Sequence, residues 1–213
     1  MSFMNKKLSL GILGGFLLGV FWLGAIRFFT YKKDTVHYHA NFAVYINDKR
    51  LPFDSITDYE EVSACTVDDG NQTPAMRVHM HDQKNWVIHV HDRGVTWQHF
   101  FENLGMIVSN NLVQSSDGKI YESGENSNNL EGDEKISYLL NGEKITKIVG
   151  LEIKDTDTLL VSYGNDNQDT LDNQYKSIVQ DAKKVDAESD PATCSGSAPV
   201  TITERLKHAF WFQ

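Results

Sequence analysis

The sequence predicts an α+β protein: an N-terminal transmembrane helix, one sheet-centred domain with an inserted histidine-rich hairpin, and two C-terminal helices. Three observations carry this. Leu8 to Ile26 is a run of 19 residues without a charge. Residues 36–164 alternate strand-forming runs with Asn, Asp and Gly turn signals around a single helical pattern. After residue 165 the apolar residues recur at helical spacing.

The apolar run spans about 28 Å as a helix, close to the hydrocarbon thickness of a bilayer. The competing reading is a cleaved signal peptide; the length of the run and the lack of a small-x-small cleavage site after it favour an anchor. Arg27-Phe28-Phe29-Thr30-Tyr31-Lys32-Lys33 mixes aromatic and basic residues as an interfacial anchor does. Gly11, Gly15 and Gly19 form a small-xxx-small face suited to self-association in the membrane. Basic residues flank both ends, but the short N-terminus with Lys6 and Lys7 favours a cytoplasmic N-terminus and an extracytoplasmic domain. The expected organisation is a membrane anchor over 1–30, a linker over 31–35, a sheet domain over 36–164 and a helical extension over 165–213.

Residues 36–46 read as a strand, turned at Asn47-Asp48-Lys49 and returning over 50–53. A polar stretch with an Asp68-Asp69-Gly70-Asn71 turn leads to a second hairpin over 76–92, reversed at Gln83-Lys84-Asn85. Thr96 caps a helix that buries Trp97, Phe100, Phe101 and Leu104 and stops at Gly105. Residues 106–113 and Ile120-Tyr121 are short strands. Asn141-Gly142 joins strands 136–140 and 143–148, and Leu159-Leu160-Val161 lies in a buried strand. Leu171, Tyr175, Ile178, Ala182 and Val185 predict one helix of about five turns. Thr201 and Glu204 form a capping box before a last helix ending in an apolar Phe210-Trp211-Phe212 patch, expected to dock on the domain's own core in preference to the competing place at the bilayer interface.

Within residues 36–99 lie seven of the eight histidines, six of them as His37/His39, His79/His81 and His89/His91. Side chains two apart on a strand share a face. Each pair therefore points opposite to an apolar stripe of Tyr38, Phe42, Val44 and Ile46, of Val78 and Met80, or of Ile88 and Val90. If the three strands are neighbours, six imidazoles project from one side of one sheet. Met80 then points into the core and is a poor copper ligand.

Imidazole is the commonest protein ligand for transition metals, and an all-nitrogen set suits copper or zinc. All six paired histidines are candidate ligands. Asp82, Asp92 and His99 are candidates to support them from behind. The leading expectation is a metal-binding module for capture or delivery, with a partner protein that receives the metal. The alternative is an enzyme with an open three-histidine site, using Glu102 or Asp92 as base. A proton-responsive cluster and a plain polar face compete with both. No nucleophile elbow, phosphate loop or His-Glu-x-x-His motif is present.

Hairpin, helix, Leu-Asn-Gly hairpin and the closing Lys154-Asp155-Thr156-Asp157-Thr158-Leu159-Leu160-Val161 run resemble the β-grasp order of ubiquitin and the small sulfur carriers. The resemblance covers 36–164, with 55–92 inserted. It implies a fold and no sulfur chemistry, because the carriers end in Gly-Gly whereas this strand reaches Tyr163-Gly164 and the chain continues. A membrane helix followed by His37-Tyr38-His39-Ala40, His89-Val90-His91 and Gly94-Val95-Thr96-Trp97 also resembles a family of small membrane-anchored proteins of archaea and reduced-genome bacteria. That resemblance implies a location more than an activity.

Cys65 and Cys194 form no Cys-x-x-Cys motif. Outside the cytoplasm they would pair as a disulfide closing a loop that stabilises the fold by roughly 4–5 kcal/mol. A net charge of −9 argues against a general nucleic-acid partner.

Overall fold

A computed structural model describes residues 6–32, 36–59, 73–80, 83–123, 134–164, 167–188 and 200–210. Cys65, Cys194, His81 and Asp82 lie outside the described residues, as does the 68–71 turn. The chain forms two compact units: Thr35–Gly196, and Met1–Asp34 together with Ser197–Gln213.

The larger unit is built on a mixed sheet. Its strands are β1 (Tyr38–Ile46), β2 (Lys49–Arg50), β3 (Val78–His79), β4 (Val87–Val90), β8 (Lys135–Leu140), β9 (Glu143–Ile145) and β10 (Thr158–Gly164). They are ordered β3-β4-β1-β10-β8-β9, with β2 also on β1. The first and last strands, β1 and β10, run parallel at the centre, Val44 opposite Val161. A second sheet joins β5 (Ile107–Val108), β6 (Leu112–Gln114) and β7 (Ile120–Glu122), so the 106–122 region carries more strand than its composition suggests.

The antiparallel partner of β1 is shared between two segments. β2 pairs with Tyr45 and Ile46, then leaves, and β4 pairs with Tyr38 to Asn41. Two turns anticipated from composition have the backbone that needs Asn, Asp or Gly. Asn47 and Asp48 (φ 47° and 63°) and Asn141 and Gly142 (φ 53° and 85°) are all left-handed, the twist that matches a hairpin's strands.

The sheet is covered on both faces. On one, Phe42, Val44, Ile88, Val90, Leu159 and Val161 pack with Trp97, Phe100 and Phe101 of α3 (Trp97–Asn103). The Phe42 and Phe100 rings meet edge to face at 4.7 Å, a favoured aromatic geometry. α3 begins at Thr96, whose hydroxyl accepts the His99 N–H while His99 Nδ1 accepts the Thr96 N–H. This is a capping box with an imidazole in the usual carboxylate position.

The opposite face, the histidine side, is not open to solvent. Ala43, Leu139 and Leu160 pack under Leu171 of α4 (Gln168–Lys176) and Ile178. Val87 packs with Ala182 and Val185 of α5 (Ala182–Ala187). The expected single five-turn helix is thus two helices. The chain bends after Ser177, whose hydroxyl donates to Gln174 O at 2.6 Å, and restarts at Ala182, whose N–H donates to Asn41 Oδ1 at 3.0 Å. One straight helix would carry its second half past the β1–β4 side of the sheet, where Val87 needs cover.

Asn41 is the hinge pin of that packing. It is 1% exposed, and its amide also reaches Trp86 O and Asp181 Oδ1, both at 3.3 Å. Asn41→Ala leaves buried polar groups unmatched and should cost about 1–3 kcal/mol, read as a lowered denaturation midpoint with an unchanged slope.

In the smaller unit, α1 (Lys6–Thr30) is 25 residues long. Its Leu10–Thr30 portion is apolar and long enough to cross a bilayer, as a membrane anchor or a signal sequence is. The last helix, α6 (Ile202–Phe210), packs on α1. The expected docking on the sheet domain's core is therefore replaced, because α6 finds its apolar neighbour in the helix at the other end of the chain.

Candidate metal centre

β3, β4 and β1 are adjacent, so the histidine strands are neighbours, as the parity argument requires. His39 lies directly opposite His89, and His89 opposite His79. His37 and His91 stand one row further along. Their rings stack at 4.9 Å between centroids, and the His91 N–H donates to Arg77 O at 2.9 Å. Among the described residues, five imidazoles thus gather on one face, beneath α5.

Three of them form the group able to hold an ion. One ring nitrogen from each of His37, His89 and His91 lies within 4.8 Å of the others. Nitrogens bound to one metal at 2.0–2.1 Å stand about 3.4 Å apart, a difference that small ring rotations close. Nε2 of His37, Nε2 of His89 and both ring nitrogens of His91 are shielded from solvent.

Hydrogen bonds set which nitrogen His89 offers. His39 Nδ1 bonds the Asp186 carboxylate on α5, and His39 Nε2 meets His89 Nδ1 at 2.7 Å. With both rings neutral, Asp186 accepts the proton on His39 Nδ1. His39 Nε2 then accepts from His89 Nδ1–H, and the His89 lone pair is left on Nε2. This is how carboxylates orient metal-binding imidazoles, here through one extra ring. His79 is set the same way by the backbone. Its Nδ1 donates to Ala75 O at 2.7 Å, leaving a lone pair on Nε2, and its ring lies 5.0 Å from His91.

Behind His39 stand two acids. Burial first, and the negative charge of Asp186 second, push the Asp155 carboxyl above its ordinary range. Burial also raises Asp186, against a hydrogen bond from Asp155. Like charges in contact share one proton more readily than they ionise together. Asp186 is the member of the pair that bonds His39.

The other anticipated residues are engaged elsewhere. Asp92 pairs with Arg77 Nε at 2.8 Å and accepts the Arg93 N–H at 2.7 Å. His99 caps α3, and Glu102 is exposed on that helix, whose buried side packs on the sheet's other face. Of the candidate bases, Asp92 is thus engaged by Arg77 and Arg93, and Glu102 lies on the helix that covers the sheet's other face. The structure adds Asp186, Asp155 and the Ala75 carbonyl. Asp186 is 147 residues from His39, and no motif joins them.

No protein-family model, curated protein or solved structure matches this chain. Its chemistry is therefore read from the geometry of the site.

Proposed function

We propose that this chain is a membrane-anchored protein whose extracytoplasmic domain binds copper or zinc for capture or delivery. The observation that carries the reading is the convergence of His37, His89 and His91 nitrogens on one point. Two features support it. The ligands sit on paired strands, which hold them with little freedom, and the Asp186–His39–His89 chain leaves a lone pair where a metal needs one. The donor set is all imidazole, which favours copper or zinc over hard cations. His79 serves as a fourth ligand when the ion requires one.

The anchor reading rests on the length and apolarity of α1 and on the absence of a cleavage signal after it. The extracytoplasmic side rests on Lys6 and Lys7 immediately before the apolar run. The domain is proposed as a β-grasp variant, supported by the parallel first and last strands at the sheet's centre, the flanking antiparallel strands and the helix α3 on one face. Membership of the membrane-anchored His-x-His family belongs to the same proposal, as does a partner that receives the metal.

A second reading, a metal-dependent enzyme activating water, is favoured by one observation. The Asp155–Asp186 pair is joined to the imidazoles through His39, a route by which a proton from metal-bound water would reach a carboxylate.

The test is metal analysis of the full chain purified in detergent. About one equivalent of copper or zinc per chain is expected, retained after dialysis and released by a chelator. Absence of any stoichiometric metal near neutral pH would falsify the reading. Spectra of the copper or cobalt form separate the two roles: a closed coordination sphere marks a carrier, an exchangeable water an enzyme.

A further inference from the structure

The short helix α6 runs antiparallel to the end of α1 and is held there at two levels. Near its start, Arg205 Nη1 donates to Phe28 O at 2.9 Å and to Tyr31 O at 3.3 Å. These carbonyls belong to the end of α1, where backbone acceptors lack helical partners and a cation is favoured. His208 stacks on Tyr31 at 4.5 Å. At its far end the Phe210 ring lies over Gly24, where an added Cβ would meet Phe210 Cε1 at 3.0 Å. Gly24 is two residues inside the apolar run that ends at Ile26, about 3 Å deeper along the helix. The tip of α6 therefore reaches back to a level that α1 devotes to apolar side chains.

The rest of α6 is amphipathic in the way that level demands. Ala209 is buried. Ile202, Leu206 and Phe210, one turn apart in succession, are 71%, 46% and 60% exposed. Lys207 and Thr203 occupy the polar side. At the same level α1 exposes Leu23, Ile26 and Phe29. Phe210 is followed in the sequence by Trp211 and Phe212, residue types favoured at the bilayer interface. The exposed Lys32 and Lys207 supply cations for phosphate headgroups.

We propose that α6 is a lipid-facing helix that dips into the headgroup–acyl boundary beside α1, its Ile202–Leu206–Phe210 face covered by phospholipid. The inference rests on the reading of α1 as a membrane anchor. Lipid is the occupant because the contacts of α6 fix it to the segment of α1 that enters the bilayer. A helix of nine residues is also too short to hold its shape in water without such burial.

The test uses the full chain in vesicles of phosphatidylcholine and phosphatidylglycerol whose acyl chains carry bromine, a contact quencher of tryptophan, near the headgroup or near the terminal methyl. Trp22 reports insertion of α1. The Trp211 signal is the difference between Trp22→Phe and the Trp22→Phe/Trp211→Phe double variant. Severalfold stronger quenching of Trp211 by the shallow bromines than by the deep ones is expected. Leu206→Glu/Phe210→Glu should abolish it while leaving Trp22 quenched. Unquenched Trp211 with Trp22 still quenched would overturn the inference while sparing the anchor, and that is the pattern expected if a second copy or another protein covers the face. Quenching that survives the double glutamate variant would overturn the role of this face. If Trp22 also escapes quenching, the anchor reading fails and α6 loses its bilayer with it.

Discussion

His89→Ala is expected to abolish stoichiometric metal binding, because His89 belongs to the three-imidazole group and is also the end of the hydrogen-bonded chain from Asp186. Removing it takes one of three nitrogens and leaves His39 Nε2 without the ring it meets. His91→Ala should lose metal to a similar extent, whereas His99→Ala should not, since His99 caps α3 on the other side of the sheet. Metal content per folded chain is the measurement, with circular dichroism confirming the fold. His89→Ala leaves a cavity beneath α5, so His89→Gln, closer in volume, is the companion variant. Binding should also weaken as pH falls, because each bound nitrogen must give up its proton. The sign is fixed: protons compete with metal, so affinity rises with pH. Metal retained unchanged by His89→Ala and His91→Ala together would remove these strands from the site.

Asp186→Asn should lower metal affinity by about 10–100-fold while leaving stoichiometry intact at saturating metal. The carboxylate touches no ligand of the three-imidazole group directly; it acts through His39. The amide keeps the shape and loses the charge that favours a proton on His39 Nδ1, and with it the bias that leaves His89 Nε2 free to bind. A competition titration against a chelator of known affinity gives the fold-change. Asp155→Asn should matter less, since Asp186 is the carboxylate that bonds His39 and Asp155 acts through it. Equal affinity in wild type and Asp186→Asn would mean that the hydrogen-bond chain does not tune the site.

Much of the sheet was legible because strand periodicity is strict. The even-numbered residues of β1 and β4 form the core with α3, and the odd-numbered His39 and His89 face the other way. Turn chemistry was legible for the same local reason: Asn47-Asp48 and Asn141-Gly142 can take left-handed backbone cheaply. The cap at Thr96 and the stop at Gly105 followed from side-chain chemistry within a few residues. The division of β1 between β2 and β4 was not legible, because the segments competing for one edge are more than thirty residues apart. Nor was the break between α4 and α5. The apolar spacing continues through it, and only the fixed position of Asn41 on β1 ends one helix and starts the next.

The sequence by itself determined the apolar N-terminal helix, most of the strands, their turns and the face on which His39, His79 and His89 stand, since all of these depend on neighbours along the chain. Only the tertiary structure decided that the histidine face is roofed by α4 and α5 and that Asp186 reaches His39 across 147 residues. It also decided that three imidazoles converge and that the last helix returns to the first. Those outcomes depend on where distant segments find apolar cover and where buried polar groups find partners. A periodicity carries no record of that distance.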